Sequence, residues 1–296
     1  MKHRRISTHG GVEIAFDDSG LEDWPAVVFL HGGGQTRHSW REATVALNRI
    51  GYRTLNVDLR GHGDSSWAGD GDYRLDAHVG DITALIAELT DRPAMVGASL
   101  GGMIALVMGG EHDPPAIGAV VLVDVVPRFE PQGTAAIQAF MRGNPEGFAS
   151  LDEAAQTIAE YLPHRPRPPS QAGLRKNLRE GVDGRFRWHW DPAMMAGPNE
   201  IGAAQARLDE AARRLKVPTL LIRGELSRVV SDEGVRAFRA KVPHARYAQV
   251  AGADHMVAGD RNSEFVAPLI DFLQVQDEAR PRAHHPLPAG AGENGS

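Results

Sequence analysis

The chain has 296 residues, of which 42% are hydrophobic and 24% charged, a balance that provides a sizeable core for one large or two modest globular domains. Its net charge of −6 excludes a general attraction to nucleic acid or to an anionic membrane surface, both of which call for a basic face, and favours small neutral or apolar partners. With no cysteine, disulfide and thiolate chemistry are excluded as well.

The opening Met1-Lys2-His3-Arg4-Arg5 is basic, but residues 6–20 have no continuous apolar region and no small-residue cleavage site, so they read as the first strands and not as an export signal. No run approaches the roughly 18 apolar residues that span a bilayer, and a cytoplasmic location with no membrane partner is expected. Short apolar runs then recur at 26–30, 54–57, 94–96, 119–123, 219–222 and 247–250. Buried runs of this length separated by helical patterns predict an α/β fold with a mostly parallel sheet covered on both faces. Residues 76–89 carry Val79, Ile82, Leu85, Ile86 and Leu89 at three- and four-residue spacing, which predicts an amphipathic helix.

The first run leads into His31-Gly32-Gly33-Gly34-Gln35. Glycines there let backbone N–H groups face a substrate without obstruction, as an oxyanion hole requires; a tight turn alone would also account for them. The third run leads into Gly97-Ala98-Ser99-Leu100-Gly101, the sequence form of a nucleophile elbow, followed by small and apolar residues suited to a helix packed closely on a sheet. The pattern is weak in a chain with 33 glycines, and its strand-to-helix context gives it meaning. No Gly-Lys-Ser/Thr and no Gly-x-Gly-x-x-Gly follows, which argues against a phosphate loop.

From about Pro127 to Arg207 the rhythm breaks: nine of the 19 prolines lie here and no strand-like run occurs. This predicts a helical cap at 127–207 between two parts of a core, 1–126 and 208–275, with helices at 134–142, 151–161, 171–180 and 201–214. Phe140, Met141, Trp188 and Trp190 are its candidate substrate-binding residues, although such side chains also make a cap's own core. Arg165, Arg167, Arg175, Lys176 and Arg179 form a basic stretch that either recognises a carboxylate or is a solvated face. Residues 276–296 have few apolar side chains and are expected to be a disordered tail.

A serine hydroxyl needs a base. Of 13 histidines, His255 is best placed, in a loop after the last strand-like run, at the carboxyl edge where the elbow also opens. His31, placed before the glycines, reads as structural. Taken together, His31-Gly32-Gly33-Gly34 with Trp40, Asp58-Leu-Arg60-Gly61-His62-Gly63-Asp64-Ser65, Gly97-Ala98-Ser99-Leu100-Gly101 and Gly252-Ala-Asp-His255 resemble the α/β-hydrolase family over roughly residues 10–275. The resemblance implies an eight-stranded sheet, a cap inserted after the sixth strand, a Ser–His–acid triad on Ser99 and His255, and a scaffold turn at Asp58-Leu-Arg60-Gly61-His62-Gly63. Oxyanion donors would be Leu100 N–H and Gly33 N–H.

The acid departs from the family pattern. Relatives usually carry an Asp shortly after the seventh strand, where this chain has Gly224-Glu225-Leu226-Ser227-Arg228, and an arginine at 228 cannot accept an imidazole N–H. Asp124, at the end of the sixth strand, is favoured; Glu225 is an alternative, and Asp232 is expected to cap a helix at 233–240. The implied activity is hydrolysis of a small to medium, partly apolar ester or lactone through an acyl-enzyme, with no metal and no organic cofactor indicated. Carbon–carbon bond hydrolysis, cofactor-free perhydrolysis and a catalytically weak small-molecule receptor share the same signature. The oligomeric state is not legible.

Overall fold

Alternation of side chains along short strands decides which helices each face of a sheet receives. The computed structural model describes residues 1–113, 115–162, 173–196, 201–255 and 262–278. In chain order its strands are β1 (Lys2–Ser7), β2 (Glu13–Ser19), β3 (Ala26–Leu30), β4 (Arg53–Val57), β5 (Ala94–Ala98), β6 (Ala119–Val123), β7 (Leu178–Glu180), β8 (Phe186–Trp188), β9 (Thr219–Gly224) and β10 (Arg246–Val250). Eight form one sheet in the order β1-β2-β4-β3-β5-β6-β9-β10, in which β2 runs antiparallel to both neighbours and the pairs from β4 to β10 are parallel.

The helices are α1 (Arg41–Arg49), α2 (Leu75–Ile86), α3 (Leu100–Gly110), α4 (Pro131–Arg142), α5 (Leu151–Tyr161), α6 (Ile201–Arg214), α7 (Asp232–Lys241) and α8 (Asn262–Glu278). Val28, Leu30, Met95, Val120, Leu122 and Leu221 point to one face and pack with Ile82, Ile104, Leu208 and Phe238 of α2, α3, α6 and α7. Their sequence neighbours Val27, Phe29, Val96, Val121 and Ile222 point to the other, against Leu47 of α1 and Phe265, Leu269 and Phe272 of α8. Both faces are thus covered, as a parallel sheet demands. Burial of a Leu or Phe of this kind is worth about 1.5–3 kcal/mol, so these two layers hold the sheet rigid beneath its loops.

Helix α3 sits unusually close to its neighbours because its glycines carry no Cβ. A methyl at Gly110 would fall 2.1 Å from the Ala211 carbonyl of α6, and one at Gly101 would fall 2.3 Å from the Leu30 carbonyl of β3.

Between β6 and α6 the chain forms α4, α5 and the β7–β8 hairpin, which bury Met141, Phe148, Ala154, Leu174, Leu178, Trp188 and Trp190 in a core of their own. Three local expectations are corrected here. Residues 171–180 do not make one helix: 171 and 172 lie outside the described residues, Leu174–Asn177 is a 3-10 turn and Leu178–Glu180 pairs antiparallel with Phe186–Trp188. Asp232 is not the cap of its helix; Ser231 is, its Oγ accepting the Gly234 N–H, while Asp232 pairs with Arg223. Residues 276–278 continue α8, and 279–296 lie outside the described residues. Among the described residues no helix is long and apolar enough to cross a membrane.

Candidate active site

Strands β5 and β6 end side by side, Ala98 paired with Val123, and the next residue on each has a left-handed backbone: φ is 46° at Ser99 and 50° at Asp124. This conformation is uncommon outside glycine and marks a chain held by its surroundings. The restraints are visible. Ser99 N–H donates to the Val123 carbonyl at 3.2 Å and Asp124 N–H to the Ile222 carbonyl at 2.7 Å, while the Ser99 carbonyl accepts from Met103 as α3 begins. The two glycines of the elbow are sterically required, since a Cβ on Gly97 would lie 2.2 Å from the Gly101 carbonyl oxygen.

Asp124 is fully buried, and its carboxylate collects three donors. Oδ1 accepts from Gly224 N–H at 3.1 Å, and Oδ2 accepts from Ser227 Oγ at 2.5 Å and lies 2.7 Å from His255 Nδ1. A carboxylate at Nδ1 fixes the imidazole tautomer, with the proton on Nδ1 and a free lone pair on Nε2. Ser227 is held in turn, accepting from the amides of Val229 and Val230 at 3.2 and 3.1 Å.

Ser99 and His255 line one cavity of about 270 Å³. Its floor is the loop after β3, with Gly33 and Leu100, and its roof is apolar cap, with Phe140, Met141, Trp188 and Trp190. The Trp188 and Trp190 rings stack at 4.8 Å and 10°, and Phe140 tilts against both. Neighbouring amides at the floor are occupied: Gly32 N–H donates to Gln35 Oε1 at 2.9 Å and Gly34 N–H to His62 Nε2 at 3.1 Å. The amides of Gly33 and Leu100 have no acceptor among the described residues.

A family profile described as alpha/beta hydrolase fold matches residues 25–261. The chain belongs to the α/β-hydrolase fold family. This α/β-hydrolase is 32% identical over 248 residues to esterase Rv0045c of Mycobacterium tuberculosis, covering 80% of this chain and 78% of that one. It is 29% identical over 268 residues to the 3-hydroxybutyrate-oligomer hydrolase of Cupriavidus necator, covering 84% and 89%. Among solved structures, esterase Rv0045c superposes with a TM-score of 0.76 at 28% identity over 92% of each chain. E-2-(acetamidomethylene)succinate hydrolase superposes with 0.81 at 24% identity over 92% of this chain and 99% of that one, a likeness of fold.

Of the residues singled out in the sequence of this α/β-hydrolase, Ser99, His255, Gly33, Leu100, Phe140, Met141, Trp188 and Trp190 meet at one cavity, with Asp124 behind His255. Met141, Trp188 and Trp190 serve the cap's core at the same time. Glu225 is engaged elsewhere, its Oε2 accepting the Gly252 N–H at 2.8 Å. The Arg228 guanidinium lies 3.9 Å from Asp254 with 65% of its side chain exposed. Arg175 pairs with Glu180 and Arg179 donates to the Gly63 carbonyl, neither lining the cavity; Arg165 and Arg167 lie outside the described residues.

Sequence reasoning missed Ser227, whose position beside Arg228 was the available signal, and His189; His31 was read as structural and His62 as part of the scaffold turn, and both bond to the floor loop or its support. His31, His62 and His189 are buried, and burial above all pushes each imidazole down to about 3, so all three are neutral at pH 7. Asp58 is likewise buried and taken up by Arg37 and the Asp64 amide, which makes its turn a support for the loop. Among the described residues no group of three or more His, Asp or Glu side chains is arranged to hold a metal ion.

Proposed function

We propose that this α/β-hydrolase is a serine hydrolase that cleaves a small to medium, partly apolar carboxylic ester or lactone. One observation carries the reading: a buried carboxylate orients His255 through Nδ1 while Ser99, on a strained elbow, opens into the same cavity. The names of the relatives, an esterase and an oligomer hydrolase, point to the same bond type.

The chemistry then follows from the parts. His255 Nε2 takes the Ser99 proton as Oγ attacks the acyl carbon, and Asp124 stabilises the imidazolium that results. The carbonyl electron pair moves onto oxygen, where Gly33 N–H and Leu100 N–H hold the developing charge. The imidazolium returns its proton to the departing alkoxide, leaving an acyl-Ser99. Water, deprotonated by His255, attacks the acyl carbon; the second tetrahedral intermediate then collapses with cleavage of the bond to Ser99 Oγ, which takes the proton back from the imidazolium as the acid leaves. The apolar roof of Trp188, Trp190, Phe140 and Met141 selects substrates whose acyl or alcohol part is apolar.

Hydrolysis of p-nitrophenyl butyrate tests this directly. We expect kcat to fall by at least about 10³-fold in Ser99→Ala and in His255→Ala, by on the order of 10²–10⁴-fold in Asp124→Asn, and not at all in Glu225→Gln. Asparagine tolerates the left-handed backbone at 124, so the change removes the carboxylate and one of its acceptor oxygens without straining the chain. Weak turnover indifferent to all four substitutions would remove the triad from the account.

A further inference from the structure

Three imidazoles converge on the loop after β3, and one of them belongs to the cap. Each holds a different, successive peptide group of that loop. His31 Nδ1–H donates to the Gly32 carbonyl at 2.8 Å, because its Nε2 accepts from Leu59 N–H at 3.0 Å. The peptide is planar and trans, so holding the Gly32 carbonyl sets the direction of the Gly33 N–H on its far side. His62 Nε2 accepts the Gly34 N–H at 3.1 Å and holds the next peptide. The third is held by His189, whose Nδ1 accepts the Gly63 N–H at 2.8 Å and whose protonated Nε2 lies 3.3 Å from the Gly34 carbonyl. That third peptide also donates its Gln35 N–H back to the Gly32 carbonyl at 3.1 Å, closing the turn onto the peptide that carries the Gly33 N–H.

His189 follows directly on strand β8 and is only 2% exposed. Its neighbours fasten the same cap segment to the core. Asp191 N–H donates to the Gly61 carbonyl at 2.8 Å, and Tyr73 Oη–H donates to Asp191 Oδ2 at 2.5 Å. The Trp190 ring lies against Gly34, 3.4 Å from where a Cβ would be.

We propose that His189 is a positioning residue through which the docked cap orients the Gly33 N–H, so that the oxyanion donor is competent only while segment 188–191 of the cap is seated on the Gly32–Gln35 and Gly61–Gly63 turns. The proposal rests on the serine-hydrolase reading. It assigns the cap a part in the chemical step, in addition to forming the roof.

The two ring nitrogens of His189 can be tested separately, since asparagine places an oxygen near the Nδ1 position and glutamine an N–H near the Nε2 position. For His189→Asn we expect kcat on p-nitrophenyl butyrate to fall about 10- to 100-fold with KM changed less than about threefold, a fraction of the roughly 10²–10³-fold cost of deleting an oxyanion donor outright. Affinity for a trifluoromethyl ketone, whose adduct mimics the tetrahedral oxyanion, should fall by the same factor, and His189→Gln should recover most of both. A lowered Tm with kcat and ketone affinity unchanged would overturn the proposal and leave His189 a structural residue. If His189→Asn does not fold, Tyr73→Phe removes the side-chain bond to Asp191, one of the two that fasten this residue to the core, without touching the cavity; a fall in kcat of about threefold or more supports the proposal and an unchanged kcat overturns it. Wild-type protein that resists a fluorophosphonate probe and keeps its activity in Ser99→Ala would instead refute the underlying serine-hydrolase reading.

Discussion

A left-handed backbone costs most residues other than glycine about 1–2 kcal/mol; Ser99 bears that cost, and Asp124, whose short polar side chain tolerates the conformation better, bears less of it at the adjoining strand end. The glycines around Ser99 make it bearable by removing side chains where backbone meets backbone. A single methyl therefore has opposite effects at different glycines. Gly97→Ala puts a Cβ 2.2 Å from a carbonyl oxygen that cannot move without α3, and we expect a loss of about 2–4 kcal/mol in urea unfolding. Gly80→Ala, on an exposed face of α2 with nothing within 4 Å, should gain about 0.5–1 kcal/mol from helix propensity. At this scale the sequence was readable where chemistry and chain order coincide. Ser99 and His255 follow from a strand-to-helix turn and a late loop, and Asp124 from a strand end that keeps the Ser, Asp, His order. His189 was not readable: it meets Gly63 across 126 positions of sequence, and no local pattern records such a pairing.

Strands of three residues lie below what periodicity can detect, which is why the β7–β8 hairpin escaped a reading by hydrophobic pattern. Phe186-Arg187-Trp188 alternates apolar and polar only once, and Leu178-Arg179-Glu180 buries Leu178 alone. The stronger clue was the turn, Asp183-Gly184, where Gly184 takes φ of 73° and its N–H closes onto the Gly181 carbonyl. Gly184→Val should cost about 1–2 kcal/mol of left-handed strain, and Gly184→Asn much less, in thermal unfolding. Because β8 delivers Trp188 to the cavity, the valine variant should also raise KM for an apolar ester. The sheet and its covering helices were far more legible, since strands of five or six apolar residues and helices such as α6 carry their own period. The helix expected at 171–180 failed because a 3-10 turn and a short strand share its composition.

At the scale of the whole molecule, buried neutral histidines make the fold sensitive to acid. In the unfolded chain His31, His62 and His189 titrate near 6.5; in the folded protein burial holds them down to about 3. As pH falls below about 6.5 the unfolded state binds protons that the folded state refuses, so stability is lost, by up to about 1.4 kcal/mol per pH unit for each histidine. His78, fully buried in α2 and also pushed well down, adds to the slope. Thermal unfolding should show Tm constant from pH 8 to 7 and declining steadily from about 6.5 to 4. His62→Gln or His189→Gln should flatten that decline. A Tm unchanged down to pH 4.5 would show that these imidazoles are solvated.

The cavity roof has one further property. The stacked indoles of Trp188 and Trp190, two of the five tryptophans in the chain, lie nearly parallel at 4.8 Å. Transitions on chromophores so close mix into an exciton pair, so the protein carries an intrinsic optical reporter in the wall of the cavity that Ser99 and His255 also line. We expect circular dichroism and fluorescence at the indole bands to change in unlabelled protein when a small apolar ester analogue enters the cavity or when the stacking of the roof is altered.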